Sequence, residues 1–306
     1  MGRPRRDQRD ISGILLLDKP VGISSNDSLQ RVKRLYRARK AGHTGSLDVP
    51  ASGLLPICLG EATKMSGYLL DAAKCYTATF LLGVRTTTGD AKGEVLERRP
   101  VEGIDAPRIQ AVLEAFCGEI EQIPPMHSAI KQGGTPLYKL AYAGQTVERE
   151  PRKVRIDEFR LLELDGALAK VRVRCSKGTY VRTLAEDVGA ALGCGGSVAQ
   201  LRRTLVGPFA IESSVSLEWL EALARDEGLA AVDALLLPAD AALGHVPALV
   251  LDADSAFYVG KGQAVLVPKA PRDGLVRLYA PDRRFLGVGE VIDDGRVAPR
   301  RLLHPT

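Results

Sequence analysis

Apolar and polar positions alternate along this chain with two different periods, and the period changes place the elements. The run Gly13 to Leu17 is apolar without a break and predicts a buried strand. It ends at Asp18-Lys19-Pro20, where the proline holds Lys19 extended. Ser25 is then positioned to cap a helix whose apolar stripe is Leu29, Val32, Leu35 and Tyr36. Ala62 to Leu70 reads as a helix, Tyr76 to Leu82 as a strand, and Gly83 to Gly93 as a loop. Asp105 predicts an N-cap, with Pro107 in the first turn, Ile109, Val112, Leu113 and Phe116 buried, and Gly118 closing the helix. Residues 123–151 carry Pro124-Pro125, Gly133-Gly134 and then Leu137, Tyr138, Leu140 and Tyr142, which predicts a mobile insertion of loop and short helix. Val154 to Leu164 and Ala169 to Cys175 read as paired strands, with Val171, Val173 and Cys175 on one face and Arg172 and Arg174 on the other. Ser176 to Arg182 forms a turn into a helix. Thr183 and Glu186 suggest a capping box there, so that Arg182 lies just outside the helix, and Gly193 ends it. Residues 211–243 predict helices around Trp219. After Pro247 the pattern shortens to strands at Phe257 to Val259, Ala264 to Val267, Leu275 to Tyr279 and Phe285 to Val291.

One stretch fits neither period. Gly42-His43-Thr44-Gly45-Ser46-Leu47-Asp48-Val49-Pro50-Ala51-Ser52-Gly53 is too rich in glycine and small polar residues to hold a regular element for long, yet apolar runs flank it. A loop pinned between core segments is a natural carrier of chemistry. It holds one carboxylate, Asp48, and one of the four histidines, His43. An aspartate among glycines is most often a turn residue, and Asp90 in Thr86-Thr87-Thr88-Gly89-Asp90 is most simply read that way.

Composition narrows the function class. With 306 residues and 45% apolar content, the chain can build two cored domains. No run is long enough to span a membrane and no apolar signal region is present, which predicts a cytoplasmic protein. The five cysteines are odd in number and unpaired in spacing, which argues against a disulfide framework and a zinc site. P-loop, dinucleotide-binding and His-Glu-x-x-His patterns are missing, which argues against ATP chemistry, hydride transfer and zinc hydrolysis. The net charge of +5 is mild, but two basic blocks contain no acid: Arg31 to His43, and Gly166 to Ala185. Such blocks suit a polyanion, although each alone is also what a solvated face looks like. A carboxylate can act as a covalent nucleophile, a neighbouring arginine favours its ionised form, and Tyr76 and Tyr180 could stack on bases.

Four ordered blocks then carry a resemblance: Leu17-Asp18-Lys19-Pro20-Val21-Gly22-Ile23-Ser24-Ser25, Gly42-His43-Thr44-Gly45-Ser46-Leu47-Asp48, Leu55-Pro56-Ile57-Cys58-Leu59-Gly60-Glu61-Ala62-Thr63-Lys64 and Cys175-Ser176-Lys177-Gly178-Thr179-Tyr180-Val181-Arg182. Together they resemble the bacterial tRNA pseudouridine-55 synthases, the TruB family, over most of residues 11 to 305. The resemblance implies an α+β fold: a mixed, mainly antiparallel pseudouridine-synthase sheet with flanking helices, plus a small β pseudo-barrel (PUA) domain. It implies a catalytic domain at 11–243 with an RNA-gripping insertion at about 123–151, and a PUA-like RNA-binding domain at 247–306; ahead of them Gly2-Arg3-Pro4-Arg5-Arg6 reads by itself as a basic flexible arm, 1–10. The implied activity isomerises uridine 55 of the tRNA T-loop to pseudouridine by base flipping, with no cofactor, no metal and no obligatory protein partner, in a monomer. By that likeness Asp48 is the catalytic nucleophile, Arg182 its partner, and Tyr76 the residue that stacks on the target base. Tyr180 and Leu201 line the uracil pocket, His43 supports the remodelled T-loop, and Lys19 with Pro20 buttresses the catalytic loop, Lys19 being counted with His43, Tyr76, Tyr180 and Leu201 among the substrate-binding residues.

The chain departs from the family where Val49-Pro50-Ala51-Ser52-Gly53 replaces the usual Pro-Leu-Ala-Thr-Gly, which moves the φ constraint one residue along. His127 also stands where a tyrosine is common, and Thr86 to Gly89 lacks a frequent acid. Two alternatives stay open: an RNA-binding folding chaperone with weak or no catalysis, and a guide-RNA-dependent relative. Whether Asp48 attacks the sugar or the base is also open.

Overall fold

The computed structural model describes residues 8–304. The predicted basic arm therefore lies largely outside the described residues. Within them, Arg9 is ion-paired with Asp233, and its amide donates to the Arg37 carbonyl at 2.8 Å. The chain forms two compact units. One comprises the chain up to Leu47, Leu54–Leu70 and everything from Val206 on; the other comprises Asp48–Gly53 and Asp71–Leu205. The fold is mixed α+β, with a large mixed sheet and flanking helices.

In the second unit the strands Gly118–Gln122, Arg152–Asp165, Leu168–Cys175 and Lys74–Leu82 are antiparallel neighbours, followed by Gly196–Val206. The period-2 reading of Leu168–Cys175 holds: Val171, Val173 and Cys175 are buried, and Val171 faces Ala78 across the strand pair. Helices Ala106–Ala115 and Val181–Leu192 supply Ile109, Leu113, Leu184 and Val188 to the same core. Phe80 and Phe159 meet edge-on there at 6.1 Å. Ser52 and Gly53 join Gly196–Val206 in parallel, opposite Arg202 and Arg203.

In the first unit the apolar run Gly13–Lys19 is a strand buried on both faces. Leu15 and Leu17 pack with Leu29, Val32 and Tyr36 of the Ser25–Leu35 helix region, while Ile14 and Leu16 pack with Met65, Leu69 and Leu243. An unbroken apolar run is what a strand between two cores requires. From Ala248 the chain builds a four-stranded sheet, Ala248–Val250, Gly274–Tyr279, Phe285–Val291 and Val297–Leu302.

Several local expectations need correction. Ser24, not Ser25, caps the first long helix: it is extended, and its hydroxyl accepts from the Asp27 amide at 3.0 Å. Ala62 to Leu70 is a 3₁₀ turn, Gly60–Met65, leading into a short helix, Ser66–Asp71. Gly83 to Gly93 includes a strand, Val84–Thr86, paired with Val95–Arg98. The helix Val181–Leu192 takes in Arg182, which lies in its first turn rather than outside it. Thr183 consequently cannot cap; its buried hydroxyl has no hydrogen-bond partner. Phe257 to Val259 belongs to a helix, Ala253–Gly260, capped by Asp252. Ala264 to Val267 makes only an isolated bridge, Val265 to Val297.

Candidate active site

The site is built on the Asp48–Gly53 loop of the second unit. Its first four residues form a turn closed by the Ala51 amide on the Asp48 carbonyl at 3.0 Å. Pro50 occupies the third position of that turn, where no backbone donor is needed, so the Val49-Pro50 order leaves the closing bond intact. The loop ends at Gly53, with φ +107°, where an added Cβ would stand 2.3 Å from the Arg203 carbonyl oxygen. Only glycine allows that approach. Immediately before the loop, in the first unit, the buried Ser25 hydroxyl accepts from the Leu47 amide at 2.8 Å and donates to the Leu47 carbonyl at 3.0 Å. The serine expected to cap a helix instead holds the residue preceding Asp48.

Arg182 is buried and fully engaged. Its Nε lies 2.9 Å from Asp48 Oδ2 and 4.0 Å from Asp90 Oδ2. Its terminal nitrogens donate to the carbonyls of Thr88 at 2.9 Å and His127 at 2.7 Å. The guanidinium fork is therefore fixed by main-chain acceptors on two segments as well as by a carboxylate. The Asp48 side chain is 45% exposed against 6% for that of Arg182, so the carboxylate is held from behind and open in front.

Asp90 is the residue that pattern reading missed. It is a turn former, as expected: its carboxylate accepts from the Thr88 hydroxyl at 2.7 Å and the Lys92 amide at 3.0 Å. It is also buried beside Arg182, on a segment bridged to Val198. No sequence signal separates an Asp that only makes a turn from one that also faces an arginine. Its 8% exposure is what reveals the second role. Asp48, Ala51, Asp90, Arg182, Val198 and Leu201 surround one small pocket.

The two tyrosines stand nearby in the same unit. Tyr180 caps the Val181–Leu192 helix, and the buried Gln122 amide grips its backbone from both sides: Oε1 accepts from the Tyr180 amide at 2.9 Å and Nε2 donates to its carbonyl at 3.2 Å. Tyr76 sits at the rim of the core, on the strand that carries Ala78 and Phe80. Burial pushes both phenols up from their ordinary value. On the insertion, a two-strand hairpin, Lys131–Gln132 with Thr135–Pro136, precedes the short helix Leu137–Tyr142. The His127 ring meets Tyr142 edge-on at 5.6 Å.

Two expected site residues belong to the first unit. His43 ends a short strand paired with Ser52–Leu59, opposite Ile57. Lys19 is 0% exposed, and its ammonium donates to the carbonyls of Pro20 and Ile23, each at 2.8 Å. It braces its own turn. Of the second basic block, Lys170, Arg172 and Lys177 pair with Glu163, Glu158 and Asp71. Lys170 and Lys177 are ordinary solvated partners, whereas the Nε of Arg172 is buried. Cys58, Cys75, Cys175 and Cys194 are buried free thiols, and Cys117 is exposed.

Comparison with known proteins shows the family. Residues 33–181 match the TruB family pseudouridylate synthase N-terminal domain. Residues 182–244 match the tRNA pseudouridylate synthase B C-terminal domain, and 247–303 the C-terminal domain of pseudouridine synthase II TruB. The chain is 55% identical over 303 residues to tRNA pseudouridine synthase B of Stutzerimonas stutzeri, covering 99% of both. It is 56% identical over 304 residues to the protein of that name from Nitrosococcus oceani, covering 99% of this chain and 98% of that one. Among solved structures, a chain of a Cbf5-Nop10-Gar1 complex superposes with a TM-score of 0.75 at 26% identity, over 99% of this chain and 88% of that chain. The chain therefore belongs to the TruB family of pseudouridine synthases.

Proposed function

We propose that this protein isomerises uridine 55 in the T-loop of tRNA to pseudouridine, with Asp48 as the catalytic nucleophile on a flipped-out base. The observation that carries the reading is the Arg182–Asp48 pair: a buried, immobilised cation behind a carboxylate whose other side is open. The reaction exchanges bonds without changing composition. The C1′–N1 bond breaks, the uracil turns, a C5–C1′ bond forms, and the C5 proton leaves while N1 gains one. An aimed carboxylate serves this chemistry at the sugar and at the ring alike.

Tyr76 stacks on the base, and Tyr180 and Leu201 line its pocket. His43 supports the T-loop, and Lys19 acts at a distance by bracing its turn. Taking the base out of its stack costs a few kcal/mol, which stacking and phosphate contacts must offset. The insertion at 123–151 grips the RNA, and the basic, mostly β tail at 247–306 acts as a PUA-like binding domain. The protein works as a monomer in the cytoplasm without a guide RNA; the full-length relatives carry tRNA in their name and match end to end.

The test is turnover and binding measured side by side on a T-arm RNA. Wild type should form pseudouridine, and Asp48→Asn should bind the RNA with no detectable product. Binding without turnover in the wild type would favour a folding chaperone.

A further inference from the structure

The strand Lys74–Leu82 sends alternate side chains to one face. Ala78, Phe80 and Leu82 fill the core on that face, and Tyr76 packs at its rim. The neighbouring strand, Gly196–Val206, contributes Arg203, which is only 1% exposed. Arginine is almost never so deeply buried unless it is paired. The adjacent Thr204 hydroxyl donates to the Cys75 carbonyl at 3.3 Å, which sets Arg203 beside Tyr76 across the two strands and brings its guanidinium within reach of the Tyr76 hydroxyl. Arginine has donors only, so the Tyr76 oxygen accepts, and the hydroxyl proton must point elsewhere. The Arg203 backbone meets the other half of the site: it pairs in register with Gly53, at the close of the Asp48 loop. One residue thus touches the catalytic loop with its main chain and the base-stacking tyrosine with its side chain.

The geometry points to Arg203 as a positioning residue for the reaction, fixing the plane and hydroxyl of Tyr76 relative to the Asp48 loop. It does not touch the reacting atoms. A uracil that must detach, turn and rejoin needs a stacking surface of constant orientation. A loosely held ring still binds the base but guides the turn poorly, so the loss falls on turnover rather than on affinity. The inference rests on the stacking role proposed above for Tyr76.

The test uses the full chain and a T-arm RNA, with single-turnover rate and Kd as readouts. Wild-type activity is scored first; its absence would overturn the reaction assignment itself, separately from any role of Arg203. Arg203→Lys keeps the charge but loses the planar fork. It should lower the rate about tenfold with Kd within about twofold of wild type. Tyr76→Phe removes the acceptor and leaves Arg203 in place. In that background Arg203→Lys should lower the rate less than about threefold further, because the bond is already gone. Equal losses in both backgrounds, a matching loss of binding, or a near-wild-type rate for Arg203→Lys would overturn the inference. If Arg203→Lys does not fold, Tyr76→Phe decides alone: a reduced rate at unchanged Kd supports it, and a wild-type rate overturns it.

Discussion

At the scale of single residues, Asp48 and Arg182 divide two demands between them. In the proposed reaction one must reach substrate and the other must not move, and their exposures, 45% and 6%, differ accordingly. Composition alone could single out Asp48 only as a constrained carboxylate; the four matching blocks turned it into a candidate nucleophile. Asp90 stayed hidden because its local signal is that of an ordinary Asx turn. Lys74 is a further buried charge, and it makes stability depend on pH. Burial above all, and then Arg203, lowers its pKa from 10.5 to about 8. The folded state therefore releases a proton that the unfolded chain keeps up to the higher value, so this residue's penalty is full below about 8 and fades as pH rises towards 10.5. Lys74→Met should be more stable than wild type at pH 7, with a gap that closes across that window in urea unfolding. A gap independent of pH would contradict the account.

At the scale of elements, periodicity located most helices and strands, and the errors cluster at their ends. Ser24 and Ser25 are adjacent hydroxyls, and pattern cannot say which turns outward to cap and which turns inward to hold Leu47. Thr183 and Glu186 have capping-box spacing, but the helix had already begun at Val181, where the Gln122 side chain fixes the Tyr180 backbone. Phe257-Tyr258-Val259 reads as strand by composition, yet the Asp252 cap and the following turns make it helix. Such ends are decided by tertiary partners that a local window does not contain. The Asp48 loop closes through one such contact, and a prediction belongs there. Gly53→Ala would place a Cβ 2.3 Å from the Arg203 carbonyl oxygen at φ +107°. Backbone strain alone costs about 1–3 kcal/mol, and the clash adds to it. Thermal unfolding should fall and turnover should drop with it. Gly22→Ala, at φ +93° with nothing within 4 Å, should cost less. Equal effects at the two glycines would mean that the strand contact is unimportant.

At the scale of the whole molecule, the fold class and the tail's β character were legible, but the tail's attachment was not. Residues from 247 on read as a separate small domain by composition. In the first unit, however, Val288 is buried in the same cluster as Leu54, Met65 and Leu243. The Lys64 ammonium also donates to the Leu302 carbonyl at 2.8 Å, and Glu61 accepts from the His304 amide at 2.7 Å. Long-range burial of this kind leaves no periodic trace. Removing residues 247–306 should therefore lower the melting temperature by more than about 5 °C as well as weaken tRNA binding. An unchanged melt with binding loss alone would show the tail to be an independent appendage. The central claim concerns chemistry at one carboxylate. Its most direct test is mass-spectrometric mapping of pseudouridine in unmodified tRNA treated with the wild-type protein and with Asp48→Asn. The account predicts pseudouridine at the T-loop uridine 55 with wild type and none with Asp48→Asn. Full conversion by Asp48→Asn, or wild-type product only at another position, would contradict it.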